Sequence, residues 1–392
     1  MKIASFFDFL EAKPLYYDEI DHRRVHHAYA LLHAHIKHPR TIHIVGTNGK
    51  GSTGRMLAHL AYLSGLSVGH FSSPHILKFN ERIWIDGLDS SDEVLELAHQ
   101  KLYAILGQKM SEALSYFEYT TLLALVAFEQ VDFIVLEAGL GGEFDATNVC
   151  DKELSIITPI GIDHQAFLGD TIEDIASTKI RSIQKQVLLA PQVYNEVLEV
   201  AKKITKEKKA ILYHQERIRK LVGWENPTIK AVMDIAKSNS WASYLIENAR
   251  TALKALDILS ISYNITDLKT LKLFGRFYPL MDNIRIDVGH NPLAAQAIVK
   301  ALNRSIVLIY NSLDDKDYEQ VLRILKPKIT RVEILPITNQ RAVTSQSIKK
   351  ALEKLEIAYS EFSGSVVDDE EYLVFGSFYV VEEFLKRYTS CT

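Results

Sequence analysis

Residues 41–53 read Thr-Ile-His-Ile-Val-Gly-Thr-Asn-Gly-Lys-Gly-Ser-Thr, and the reading of the fold turns on them. The run TIHIVGT at 41–47 is short, apolar and rich in β-branched residues, which predicts a buried strand. GKGSTGRMLAHLAYLS at 49–64 then repeats apolar side chains at helical spacing. Between strand and helix lie Gly46, Thr47, Asn48, Gly49, Lys50, Gly51, Ser52 and Thr53. Glycines at such a turn let backbone N–H groups close around phosphate oxygens, the helix start adds partial positive charge, and Lys50 reaches the outer phosphates. The GxxxxGK[ST] spacing is not met, because Ile44 stands five residues before Gly49 and Gly51 follows Lys50. A plain glycine-rich turn is the bland alternative; the strand–loop–helix order favours phosphate.

Working outward, strands are predicted at 67–72, 132–138, 154–160 and 186–190, helices near 92–106 and 118–130, and a loop at 73–90. Residues 216–265 lose the strand signal and read as helical, broken at Asn226-Pro227. A second block begins near Leu273. Its strands at 283–288, 305–311, 331–337 and 372–376 alternate with helices at 293–303, 316–326, 344–356 and 378–388. Alternation of this kind implies right-handed crossovers and two mostly parallel, doubly wound sheets. The expected division is 1–272 and 273–392, with the boundary somewhere in 266–275. No internal repeat or low-complexity tract is evident.

Bulk properties narrow the classes. At roughly 100–200 residues per domain, 392 residues make two domains or three. An apolar fraction of 47% and a charged fraction of 24% allow a large core and argue against global disorder. Lys+Arg 45 against Asp+Glu 49 gives net charge −4, so bulk charge does not recruit nucleic acid. Cys150 and Cys391 make no disulfide framework and suit a reducing compartment. The opening MKIASFFDFLEAK reads as neither signal peptide nor membrane span, and the expected location is the cytoplasm.

Seven ordered blocks carry a resemblance: GTNGKGS; FSSPHILKFNERIWIDG at 71–87; EAGLGGEFDATN at 137–148 with Asp163-His164; ENARTAL around Asn248; Gly275-Arg276 with DVGHNP at 287–292; LDDKD at 313–317; and FGSFYVV at 375–381. Together they resemble the dihydrofolate synthase/folylpolyglutamate synthase family, in the superfamily of ATP-dependent amide ligases that includes the Mur ligases, over almost all the chain from about residue 40. The resemblance implies an α/β protein, with a P-loop-containing parallel-sheet ATPase domain followed by a smaller Rossmann-like domain. It implies ATP as co-substrate, two Mg²⁺ ions, and addition of L-glutamate to dihydropteroate and reduced folates through an acyl phosphate. For the metal it implies Ser73, Glu137 and His164; for ATP, residues 46–53 with Asn248, Arg276, Asp287 and His290. Glu137 also ends a strand, where open α/β sheets gather ligands and a hard cation finds an oxygen beside the γ-phosphate.

The resemblance makes Lys179 a lysine carried as a carbamate, although the family's EKAGI surround here reads Thr178-Lys179-Ile180-Arg181-Ser182. An unmodified ammonium would repel two divalent ions; the bland reading is a solvated lysine at a helix end. Lys50, His164, Lys179 and Arg276 are the implied catalytic set. Arg276 lies in Phe274-Gly275-Arg276 where the family has PGR, and supplying a guanidinium fork from a second domain ties phosphate contact to closure. The pterin side implies Phe79, Glu81, Arg82, Phe117, Asp145 and Ala146, with Thr121 completing the FExxT block; Phe117 could equally be core. Glutamate should sit in the second domain. Rival readings are a Mur-type ligase acting on a nucleotide-linked sugar, and a P-loop NTPase without ligase activity.

Seven histidines precede the phosphate loop: His22, His26, His27, His33, His35, His38 and His43. His22 and His26 have helical ligand spacing, but without Cys or HExxH support a zinc site is rejected in favour of exposed helix histidines. Cys150 reads as a packed small side chain. With no long heptad and no exposed apolar strand, a monomer is expected.

Overall fold

The computed structural model describes residues 3–13, 21, 23–218 and 226–391. The run after Arg40 becomes a strand because it can bury both faces. β1 (Arg40–Val45) is buried from its second residue onward. Ile42 and Ile44 pack into one apolar cluster with Met56, Leu57 and Leu60 of the following helix, Lys50–Leu63. Val45 faces the opposite cluster with Ile157, Ile175 and Leu189. Each such fully buried side chain contributes about 1.5–3 kcal/mol, so a central position in the sheet is the stable one.

Around β1 the chain lays down β2 (Val68–Phe71), β3 (Ile83–Ile85), β4 (Leu88–Asp89), β5 (Phe133–Glu137), β6 (Leu154–Ile157), β7 (Gln186–Leu189) and β8 (Ile211–His214). They form one eight-stranded sheet in the order β4-β3-β2-β5-β1-β6-β7-β8. β1 is parallel to β5 and β6, with Ile44 opposite Glu137 and Ile156. β3 and β4 add antiparallel strands at one edge. The expected loop at 73–90 therefore contains a short hairpin, which its brevity hid from periodicity reading. β8 was not anticipated either, since its four residues carry no alternation of burial.

A second sheet holds β9 (Tyr278–Met281), β10 (Ile284–Asp287), β11 (Ile306–Tyr310), β12 (Ile329–Ile334), β13 (Tyr359–Glu361) and β14 (Tyr372–Phe375), in the order β13-β12-β11-β14-β10-β9. β11 alternates cleanly: Ile306, Leu308 and Tyr310 face one cluster, Val307 and Ile309 the other. β9 runs antiparallel along the edge beside β10.

The helices Pro227–Ser238 and Ser243–Ile258 fill most of the helical stretch expected over 216–265, and residues 219–225 of it lie outside the described residues. The second helix packs Ala249, Ala252, Leu253 and Leu256 onto the first sheet's cluster. His26, His27, His33, His35 and His38 are exposed as expected, and His22 lies outside the described residues. His43 corrects that expectation: it is fully buried on β1, with Nε2 2.7 Å from Thr147 Oγ1, and burial pushes its pKa well down. Cys150 is a buried member of the cluster beneath the helix Tyr116–Ala127.

Candidate functional site

The loops that follow the carboxyl ends of both sheets' strands converge on one cleft, the position that open parallel sheets offer to ligands. The glycine-rich loop starts it. Gly46 has φ +154°, and a Cβ there would stand 1.9 Å from Thr158 Oγ1, so only glycine lets the chain leave β1 against β6. Gly49, at φ +86°, turns the chain into the helix Lys50–Leu63. Lys50 folds back, donating from Nζ to the carbonyls of Gly46 at 3.2 Å and Thr47 at 3.3 Å. Asn248 reaches the loop from the helix Ser243–Ile258 and donates to Ser52 Oγ at 2.8 Å. Thr53 is buried and its hydroxyl has no hydrogen-bond partner among the described residues.

Glu137, at the end of β5, and Arg276, in the turn before β9, meet at Gly51. A Cβ on Gly51 would lie 3.2 Å from Arg276 Nη2 and 3.3 Å from Glu137 Oε2. Burial raises the Glu137 pKa, with Lys50 and Arg276 pulling the other way. Among the described residues its carboxylate accepts just one hydrogen bond, a long one of 3.4 Å from the Ser73 N–H, so Glu137 and Ser73 adjoin with lone pairs to spare. That donor pair suits a hard cation. Arg276 also lies over the Phe378 ring, 5.2 Å from its centroid.

The second corner is built on Asp163 and His164, in the loop after β6. His164 adopts left-handed backbone at φ 55° and opens the short helix Gln165–Leu168. Burial lowers its pKa to about 4, against the pull of Asp163. Asp163 is the reverse case: burial pushes it up, but His290 and Lys316 outweigh that and hold its carboxyl well below the carboxylate range. Its partners are second-sheet side chains. Lys316 Nζ donates to Oδ1 at 2.8 Å, Asn291 Nδ2 to Oδ2 at 3.1 Å, and His290 Nε2 lies 3.7 Å from Oδ2. Asn291 also pairs at 2.9 Å with the amide of Asn48 in the phosphate loop. Sequence reading gave Lys316 and Asn291 no role, although LDDKD and HNP flagged their loops.

Lys179 lies on the helix Ile172–Ile180 and is only 4% exposed, so the solvated reading fails. Its Nζ donates to the Gly46 carbonyl at 3.0 Å. Burial, with Lys50 adding repulsion, lowers its pKa to about 7. His164 makes its side-chain contacts with Asp163 and Lys316 rather than with Glu137 or Ser73. Among the described residues no group of three or more His, Cys, Asp or Glu forms a ready-made metal cage.

Several expected contacts turn out to be internally engaged. Glu81 gives both carboxylate oxygens to the N–H groups of Ile76, Leu77 and Lys78, each at 2.8 Å, and so shapes that loop. Asp145 accepts from the Leu140 N–H at 2.8 Å, the Thr147 N–H at 2.9 Å and the Thr147 hydroxyl at 2.5 Å, with Ala146 buried beside it. Asp287 accepts from Tyr244 at 2.7 Å, the Phe277 N–H at 2.8 Å and the Gly289 N–H at 2.7 Å, fastening the crossover between the sheets. Phe79 is buried in the core. Arg82 donates to His75 Nδ1 at 2.8 Å and lies over the Phe79 and Tyr116 rings. Phe117 is half-buried, tilted against Phe71 and pressed on Gly139, where a Cβ would come within 2.6 Å of its ring. Thr121 donates to the Phe117 carbonyl at 2.8 Å.

No family model matches the chain. A dihydrofolate synthase/folylpolyglutamate synthase of Haemophilus influenzae is 32% identical over 397 residues, 88% of each chain. Among solved structures, a Helicobacter pylori folylpolyglutamate synthetase is 41% identical with TM-score 0.77, covering 98% of both chains. A bifunctional folylpolyglutamate synthase/dihydrofolate synthase of Yersinia pestis, complexed with AMPPNP and Mn ion, is 26% identical with TM-score 0.81, again over 98% of both.

Proposed function

The chain belongs to the dihydrofolate synthase/folylpolyglutamate synthase family, and on that footing we propose a residue-level account of how its cleft ligates glutamate. The enzyme is an ATP-dependent amide ligase that adds L-glutamate to dihydropteroate and to reduced folates. A pterin-borne carboxylate attacks the γ-phosphorus of ATP and ADP leaves. The glutamate amine then attacks the acyl carbon of the acyl phosphate, and inorganic phosphate departs. Both steps crowd anions together, so the cleft must supply positive charge at fixed positions.

The observation that carries this reading is the meeting of Lys50, Glu137 and Arg276 at Gly51. The loop backbone and Lys50 hold the phosphates, Asn248 and His290 orient the nucleotide, and Arg276 delivers its guanidinium when the lobes close. Asp287 supports this indirectly, by holding Phe277 and Gly289 on either side of the crossover. Ser73 with Glu137 fits one Mg²⁺ and the Nε2 of His164 a second; bound there, the ions would neutralise phosphate charge. A neutral amine is the form that adds CO₂, and burial of Lys179 favours it, so Lys179 is assigned as a carbamate facing the cations. On the pterin side, Arg82 and Phe117 are the contacts, while Phe79, Glu81, Asp145 and Ala146 shape the loops. The two lobes are 1–272 and 273–392, in a cytoplasmic monomer. No helix among the described residues is long and apolar enough to cross a membrane.

The test supplies ATP, Mg²⁺ and glutamate with dihydropteroate or tetrahydrofolate in separate reactions and counts phosphate released. Glutamate-dependent release with each is expected, and Lys50→Ala should abolish both. Turnover with a nucleotide-linked sugar and none with pterins would overturn the reading.

A further inference from the structure

We propose that Lys316 is a resident cation that fastens the two lobes at Asp163–His164 and must leave before a divalent ion can occupy His164. The inference rests on the reading of His164 as a metal ligand and adds a competitor for its lone pair.

Lys316 sits on a loop after β11, yet its side chain is only 5% exposed. Its Nζ lies 2.8 Å from Asp163 Oδ1, 3.3 Å from His164 Nε2 and 3.4 Å from Asp315 Oδ2. An ammonium has three hydrogens and no lone pair, and these three neighbours match that capacity. Because Lys316 can only donate, His164 Nε2 is the lone-pair nitrogen of a neutral imidazole. That lone pair is also what a metal would take, and a ring nitrogen offers one. A dication on Nε2 would additionally face the ammonium at a few ångströms, and like charges that close repel strongly in a partly desolvated cleft. Lysine and metal are therefore alternative occupants of one seat.

The exchange has a mechanical consequence. Asp163 belongs to the first sheet's loops, whereas Lys316, Asn291 and His290 all belong to the second's. Removing Lys316 cuts the shortest of these cross-lobe contacts and leaves Asn291 bridging Asp163 and Asn48. A metal that binds only the Lys316-free arrangement shifts the population toward it, and any change that frees the lysine raises metal affinity by the same factor.

The experiment titrates Mn²⁺ alone into the full-length protein, without nucleotide, and follows free Mn²⁺ by electron paramagnetic resonance. Lys316→Met keeps the stem and drops the charge; it should bind Mn²⁺ about tenfold tighter. Lys316→Arg keeps a cation and should return affinity toward the wild type. His164→Ala should weaken Mn²⁺ binding, and a failure to do so removes the underlying reading. Unchanged or weaker affinity in Lys316→Met, with His164→Ala still responsive, overturns this proposal alone. Acetylation mapped by peptide mass spectrometry gives a test on the wild type that needs no variant to fold. Lys316 should be protected without metal and become reactive as Mn²⁺ saturates; protection persisting at saturation overturns the proposal.

Discussion

Lys179→Met should yield a protein that is inactive yet more stable at neutral pH. The lysine is 4% exposed, and burial together with Lys50 lowers its pKa from 10.5 to about 7. At about 1.4 kcal/mol per pH unit, that difference withholds about 5 kcal/mol from folding wherever both states carry the proton. The sign follows from proton counting. Between about pH 7 and 10.5 the unfolded chain binds the proton and the folded chain sheds it, so stability rises with pH across that window; below it the full cost applies. Methionine removes the cost but leaves the Gly46 carbonyl without the donor now 3.0 Å away. That carbonyl still accepts from Lys50 Nζ at 3.2 Å, so the loss is one of two hydrogen bonds, about 0.5–1.5 kcal/mol, and the net gain at pH 7 is about 3–4 kcal/mol. Urea unfolding of both proteins in CO₂-free buffer at pH 7, 8 and 9 measures it, and the gap should narrow with each step. A variant less stable than wild type at pH 7, or a gap that ignores pH, would refute the reasoning. Bicarbonate should then stabilise only the wild type, with a ¹³C carbamate signal at residue 179.

Arg276→Ala should lower kcat about a hundredfold while moving the KM for ATP far less, since a guanidinium brought in by closure acts mainly on the reacting state; steady-state kinetics with varied ATP decides. Gly46→Ala puts a Cβ 1.9 Å from Thr158 Oγ1 at φ +154°, and should cost about 2–3 kcal/mol in urea unfolding along with loss of nucleotide binding. Glu81→Gln weakens an acceptor serving three backbone N–H groups; the KM for the pterin should rise about tenfold with the KM for ATP steady.

Much of the scaffold could be read in advance because its signals are local. β1, β5, β11 and β14 are largely apolar runs that bury both faces, and the helix after Gly49 repeats at 3.6 residues. What escaped was short or depended on partners. β3, β4, β9 and β13 run two to four residues and exist because a neighbouring strand offers a ladder. His43 could not be told from its exposed neighbours, because its environment is set by Thr147, over a hundred residues away. The same limit governs Glu81, Asp145 and Asp287. A motif marks the residue, but whether its oxygens face a ligand or a backbone N–H is decided by a loop conformation that leaves no periodic trace.

The cations of the cleft share a feature that bears on affinity. Lys50 rests on the Gly46 and Thr47 carbonyls, and Lys316 on Asp163 and His164. Neither is unpartnered, so triphosphate and metal would enter by replacing existing hydrogen bonds rather than by meeting bare charge. The gain from each contact is then a difference between two charge-assisted bonds, smaller than either alone. Specificity for a polyanion with its cations would follow from the same exchange, because only a ligand with several phosphate oxygens and accompanying ions can engage Lys50 and Arg276 and displace Lys316 at once. A single phosphate would release one lysine from Gly46 and leave the Asp163–Lys316 tie between the lobes intact. Closure around the reacting groups would thereby be coupled to the complete nucleotide.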